Sequence, residues 1–337
     1  MNINKKICTR CILPDTFPGI KFDDNGVCNN CLREEKAIKK AVAKKADYKK
    51  RLDELIQDQR DKAPVYDVIV AYSGGKDSSY TLKLLKERYD LRILAYTFDN
   101  HFTSPFAFEN IKNVTNQLKV DHIQFRPPWE TGKHLFSLTA KKDIFSKTTL
   151  LRASSICTTC IGMVKSIVLK TALEMNIPFV AFGWSPGQAP IQSAIMKTNP
   201  GLNRQTQAAY LKAFPNETKK VINNYLVPDS YYEIYKDKFP YNIHPLAFFD
   251  YNEEKIKDQL ESIGWKIPSD TDTNSSNCLL NAYANHCHIV RNGFHPYVWE
   301  IANMVRQGII DRDEGIKKIY TDQDKTMIKY VEEKLEL

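Results

Sequence analysis

Two periodicities alternate along the middle of the chain. Between 67 and 182, short β-branched or apolar runs recur between stretches with helical spacing. Tyr66-Asp67-Val68-Ile69-Val70-Ala71 reads as a buried strand over 67–72. Tyr80, Leu82, Leu84 and Leu85 then open a helix over about 79–89. Further strands are expected at 92–98, 122–126 and 179–182, with helices at about 105–118 and 161–175. In the last of these Val164, Ile167, Val168, Ala172 and Met175 share one face, which should pack on a sheet. Such alternation predicts an α/β fold built on a doubly wound parallel sheet. Ligands of such sheets bind beyond the carboxyl ends of the strands, which is where the 72–78 turn, Phe98-Asp99 and Gly183 fall.

The flanks differ. Residues 34–59 lack Pro and Gly and predict one long helix, closed by Pro64. Residues 199–241 are irregular, aromatic and basic, and fit a helical insertion over the site. His244, ahead of Pro245, reads first as structural. An amphipathic helix is expected at 252–264, and a polar loop over 270–278 ends in Cys278. Helices follow at about 279–291, 296–307 and 312–335, with Asp311 and Glu314 spaced as a capping pair. The implied layout is a cysteine ribbon (1–33), a linker helix (34–63), a nucleotide-binding domain (64–200) and a mostly helical region completing the site (201–337).

Composition narrows the class. A hydrophobic share of 42% and a charged share of 26% describe a globular protein. No apolar run is expected to approach membrane-crossing length and no signal peptide is evident, so the default compartment is the cytoplasm, with no membrane partner. The net charge of +8 is concentrated in the lysine-rich stretch 36–62. A basic surface suits RNA or phosphorylated substrates, but Asp47, Asp53, Glu54, Asp58 and Asp61 are interspersed, so a solvated mixed-charge helix is the plainer reading.

The eight cysteines carry the first chemical signal. Cys8-x-x-Cys11 and Cys28-x-x-Cys31, sixteen residues apart, have four-cysteine zinc-ribbon spacing, with a hairpin signal at Asp24-Asn25-Gly26 between them. Four thiolates leave no open position on Zn²⁺, so the role expected is structural, with a redox pair or cluster site as the alternative. Cys157-x-x-Cys160 is expected at the start of a helix, where thiols are acidified, and Cys278 follows the polar loop. Three thiolates can hold three irons of a 4Fe-4S cluster and leave the fourth open. A second zinc site, a redox dithiol or buried inert cysteines remain open. Cys287, between two histidines, reads as packing.

The second signal is Ser73-Gly74-Gly75-Lys76-Asp77-Ser78 between strand and helix. Two glycines admit close backbone approach, the helix start presents free N–H groups, and the serines add hydroxyls: a phosphate cradle. The motif lacks the first glycine of the common nucleotide loop and instead resembles the PP-loop of the ATP pyrophosphatases (adenine nucleotide α-hydrolase-like, the HUP-type fold). The resemblance implies cleavage of ATP to AMP and pyrophosphate with adenylation of an acceptor. Ser73, Gly74, Gly75, Lys76, Asp77 and Ser78 would bind the nucleotide, Asp77 helping to place Mg²⁺, and Phe98, Asp99 and Gly183 would lie beside it.

Two subfamilies are resembled. Cys157, Cys160 and Cys278 match the pattern of iron–sulfur PP-loop sulfurtransferases that thiolate tRNA bases. The run from Cys8 through Pro14-Asp15-Thr16, Pro18-Gly19-Ile20 and Gly26-Val27-Cys28 to Cys31, together with 304–315, resembles the N-acetyl sugar amidotransferases, which take nitrogen from a glutaminase partner. The two imply different second steps and partners: a sulfur donor with a tRNA or small-molecule acceptor, or a glutaminase subunit with a sugar. A homodimer is compatible with either. A non-catalytic RNA-binding protein is the alternative of another class; an intact PP-loop argues against it.

Overall fold

The computed structural model describes residues 6–188, 190–271 and 275–337. At its centre are six strands: β1 (Val68–Ala71), β2 (Ile93–Phe98), β3 (Asp121–Phe125), β4 (Phe179–Phe182), β5 (Ile195–Lys197) and β6 (Tyr241–Ile243). They are ordered β3-β2-β1-β4-β6-β5, all neighbours parallel except β5 against β6. The chain runs outward from β1 to β3 and returns to β4 on the other side of β1, so the order reverses between β1 and β4.

Both faces of the central strands are covered. Val68 and Val70 of β1 join Phe179 and Ala181 of β4 in one core with Leu82, Leu85 and Trp265. The alternate residues Ile69 and Val180 join Ile167, Val168 and Ala172 on the opposite face. This period-two division of an apolar run is what a parallel strand buried on both sides requires.

Some elements match the sequence reading to the residue. Helix Pro105–Leu118 starts where the Ser104 side chain accepts from Ala107 N and Pro105 fills the first turn. The Asp311 carboxylate accepts from Glu314 N and caps Arg312–Tyr320.

Other expectations are corrected. The linker is two helices, Asn29–Ala43 and Lys45–Gln59, broken at Lys44, whose ψ of 2° leaves the helical range. The final helix is likewise two, Arg312–Tyr320 and Lys325–Leu335, the second capped by Asp324. The strand 241–243 and its antiparallel neighbour were not expected, nor was helix Trp129–Lys141. The 199–241 stretch holds helices Pro200–Lys212, Asn216–Asn223 and Tyr231–Ile234 and ends in β6.

The 161–175 helix is longer than read, spanning Ser155–Glu174, so Cys157 and Cys160 lie within its first turns. At that length it is apolar enough to cross a membrane, contrary to the expectation that no run would be. Its apolar residues have protein neighbours on several sides: Met163 with Leu135, Leu169 and Leu173 with Val227 and Phe239, Ile167 and Val168 with the sheet. A helix apolar nearly all round is what such a central position requires.

The four-cysteine segment packs on the C-terminal helices. Ile12, Leu13 and Phe17 share a core with Ile301, Met304 and Ile319. Arg312 donates to the carbonyls of Cys8 and Cys11 at 3.1 and 3.0 Å, and the Tyr320 hydroxyl donates to Ile12 O at 2.7 Å.

Candidate active site

The glycine loop joins β1 to helix Lys76–Tyr89 at the switch point of the sheet. Gly74 has φ +74°, and a Cβ there would meet Ala107 O at 2.5 Å, so this turn admits only glycine. Its carbonyl accepts from Trp265 Nε1 at 2.9 Å. Ser73 and Ser78 face each other, Oγ to Oγ 3.0 Å, and Ser78 Oγ also takes the Ser73 N–H at 3.2 Å. Across the switch point, Gly183 presses on the same helix start: a Cβ on it would lie 2.6 Å from Ser78 N. The motif residues Ser73 to Ser78 and Gly183 therefore form one small concavity lined by backbone.

The Lys76 side chain is held by its own partners. Its ammonium pairs with Asp77 at 2.8 Å and Glu253 at 3.7 Å, donates to the Tyr251 hydroxyl and lies 4.8 Å from the Tyr251 ring centroid. The Tyr251 hydroxyl donates in turn to Asp77 Oδ1 at 2.8 Å. Burial works against the lysine's charge, but the carboxylates outweigh it and raise its pKa. Glu253 is itself pulled down: burial opposes its charge, but Lys76 and Lys318 more than offset that.

Phe98 stacks on Phe125 at a centroid distance of 6.1 Å. Asp99 is buried; it accepts from His101 N at 2.9 Å and Gln124 Nε2 at 3.2 Å and pairs with Arg126, so its carboxylate closes the turn after β2. His244 is buried and stacks on Trp184 at 4.2 Å, with its pKa pushed down to about 4 by burial, as suits the structural role expected of it.

The later cysteines come to the same edge. Cys157 N bonds the Ser154 cap at 3.1 Å. The Asn100 side-chain amide reaches Cys160 Sγ at 3.7 Å and Cys278 Sγ at 3.5 Å. Cys157, Cys160 and Cys278 border one apolar cluster with Phe102, Phe136, Ile156 and Leu280. The expected acidification of Cys157 and Cys160 is corrected: burial pushes Cys157 up to about 11, and raises Cys160 and Cys278 as well. Desolvation beside the cluster outweighs the hydrogen bonds from Ser154 to Cys157 and from Asn100 to Cys160 that favour the thiolates. Cys287 packs in the same cluster.

Of the polar loop 270–278, residues 272–274 lie outside those described, and the rest docks on the cradle. Lys76 N donates to Ser276 Oγ at 2.9 Å, Ser104 N to Asn277 O at 2.9 Å, and Thr103 bridges Cys278.

At the N-terminus the sulfurs of Cys8, Cys11, Cys28 and Cys31 all lie within 4.8 Å of one another, buried. Backbone N–H groups of Cys11 and Cys28 point at Cys8 Sγ at 3.4 and 3.2 Å, and Arg306 Nη1 reaches Cys11 Sγ at 3.6 Å. Cys28 is lowered to about 7, first by its hydrogen bond with Cys11. Compact, buried sulfurs surrounded by donors fit a single metal ion. The Cys157, Cys160 and Cys278 sulfurs do not form so tight a group among the described residues. Cys160 and Cys278 share the Asn100 amide, and all three border the same apolar cluster.

Several site residues had no sequence signal. Glu300 is enclosed between the cysteine helix and the 183–188 loop, accepting from Ser185 Oγ at 2.6 Å and Gln188 Nε2 at 3.1 Å; burial pushes it up to about 7. It borders a cavity of about 820 Å³ that also touches Cys157, Lys165, Trp184, Tyr210 and Trp299. Tyr210, from the 199–241 insertion, closes over Gly162, where a Cβ would lie 2.4 Å from its ring.

No family model matches the chain. It is 24% identical over 314 residues to an uncharacterized protein of Methanocaldococcus jannaschii, covering 93% of this chain and 92% of that one. Among solved structures it is similar to the U34-tRNA thiolase NcsA from Methanococcus maripaludis with its 4Fe-4S cluster, at TM-score 0.37 and 16% identity over 90% of this chain and 86% of that one. A likeness to the NH3-dependent NAD synthetase from Campylobacter jejuni, in complex with nitrate, has TM-score 0.31 and 9% identity and covers 53% and 92%.

Proposed function

We propose that the chain is an ATP-dependent PP-loop transferase. In this reading it adenylates a carbonyl or amide oxygen of an acceptor, releasing pyrophosphate, and then exchanges that oxygen, leaving as AMP, for sulfur. One observation carries the reading: a single short segment touches both halves of the chemistry. Ser276 bonds the N–H of Lys76 in the glycine loop, and two residues on Cys278 meets the Asn100 amide that also reaches Cys160.

The chain's own groups have distinct tasks. Backbone N–H groups of the helix start and the Ser73 and Ser78 hydroxyls stabilise the negative charge of the departing pyrophosphate. Asp77, its rotamer fixed by Lys76 and Tyr251, would help to hold Mg²⁺, which when bound would screen the phosphate charge. Cys157, Cys160 and Cys278 would hold a 4Fe-4S cluster, which when bound supplies an iron open to sulfide. The apolar residues around them cover one side of that place, while Cys157 also borders the cavity. The four N-terminal cysteines would hold Zn²⁺ in a structural role.

Product analysis with labelled ATP tests the first step. AMP and pyrophosphate are expected, and Asp77→Asn should lower pyrophosphate release by roughly 100-fold or more. ADP and phosphate would overturn the assignment. Cys278→Ala should retain pyrophosphate release and lose sulfur incorporation. If product forms unchanged in that variant, nitrogen from a glutaminase partner, as in the sugar amidotransferases, replaces sulfur.

A further inference from the structure

The cavity beside Cys157 is bordered by three cationic side chains and one carboxyl. Lys165 projects from the cysteine helix onto its wall, with its ammonium 4.6 Å from the Trp184 ring centroid. Among the described residues it has no ion-pair partner, although surrounding protein already pulls its pKa below the ordinary lysine value. Arg152 and Lys212 border the same space, against the one carboxyl of Glu300. Two further polar atoms there are buried with no hydrogen-bond partner among the described residues: Thr158 Oγ1 and Gln188 Oε1. Lys165 itself is exposed, on the open side of the cavity; buried polar groups are normally satisfied, so the two orphaned atoms beside this unpaired cation mark a place completed by something else.

The walls set the rest of the ligand. Trp184 is stacked on His244 and lies under Lys165, and Trp299 is stacked on Phe17 and lies under Arg306, so both line the cavity with rings already engaged by protein neighbours. A volume of about 820 Å³ suits one drug-sized molecule, for which pockets run to ~300–1,000 Å³. The cavity reaches Cys157 at one side and Glu300, beside Gln188, at another.

We infer that this cavity is the acceptor site, and that it takes a small carbonyl-bearing molecule with a phosphate or carboxylate, the anionic group being seated on Lys165. The inference rests on the reading of the chain as an ATP-dependent transferase, but its failure is separable from that of the reading. Pyrophosphate release by the wild-type protein tests the reading alone.

Binding is measured with the glycine loop saturated by α,β-methylene-ATP, which cannot release pyrophosphate. The probes are uridine 5′-monophosphate and uridine, which share a ring with two carbonyls and differ in the anion, and unfractionated tRNA. The wild-type protein should prefer the monophosphate by roughly tenfold or more. Lys165→Met, checked for folding by thermal melting, should erase that preference, and Lys165→Arg should restore most of it. Equal binding of the two probes, binding of neither, or a preference that survives in Lys165→Met overturns the assignment. Lys165-dependent binding of tRNA without binding of the monophosphate also overturns it, in favour of a polynucleotide acceptor.

Discussion

Gly183 lies against the backbone of Ser78 so closely that one added methyl group would stand 2.6 Å from its nitrogen. The end of β4 therefore forms the second wall of the cradle that the Ser73–Ser78 turn begins. Because the obstacle is backbone, Gly183→Ala has no rotamer by which to escape. Displacing the helix start should cost about 1–3 kcal/mol. ATP affinity, measured by titration calorimetry, should fall roughly 10- to 100-fold, with a smaller change in melting temperature.

The N-terminal cysteines share their apolar shell with Ile301, Met304 and Ile319, so metal loss should be felt beyond the ribbon. Elemental analysis should find one zinc per chain, and absorption spectroscopy Zn–S distances near ~2.3 Å. Cys28→Ser or chelation should lower the melting temperature by about 5 °C or more and raise amide exchange in helices Val298–Arg306 and Arg312–Tyr320. Unchanged stability without zinc would refute a structural role.

Glu300 gives a pH signature. Burial raises its folded-state pKa from 4.5 to about 7, so the folded protein holds its proton more tightly than the unfolded chain does. The sign follows: folding is favoured below pH 4.5 relative to high pH, and that advantage is lost as pH rises to about 7. Glu300→Gln keeps the bonding shape and removes the titration. Denaturant melts should show the wild type losing stability between those pH values relative to the variant, by on the order of 3 kcal/mol at most.

Asn100 touches two of the three later cysteines. Asn100→Ala should weaken cluster retention by roughly 10- to 100-fold, read as iron and sulfide per chain and as visible absorbance after anaerobic purification. Full iron content with an unaltered spectrum would show that the amide only packs.

What could be read from the residues in advance was local. The glycine turn declares itself because strand, turn and helix are contiguous, and helix Pro105–Leu118 because cap and proline adjoin it. The break at Lys44 has no local signal, since neither Gly nor Pro marks it; helices Asn29–Ala43 and Lys45–Gln59 lie along different neighbours, Cys31 with the ribbon core and Leu52 and Ile56 with the sheet. β6 is only Tyr241-Asn242-Ile243, too short for alternation to register, and takes its identity from Phe179, Val180 and Ala181 beside it. Tyr251, Glu253, Glu300 and Lys165 were hidden for a similar reason. On an amphipathic helix or in a loop a charged residue looks solvated, and only the tertiary fold reveals which ones point inward.

The Ser276 hydroxyl holds the N–H of Lys76, a donor a phosphate oxygen would seek. A nucleotide that claims this donor must evict the serine, and eviction moves a strap that has Cys278 two residues downstream. In the proposed reaction, occupancy of the cradle would therefore reach Cys278 through the strap's backbone, gearing the second half-reaction to the first.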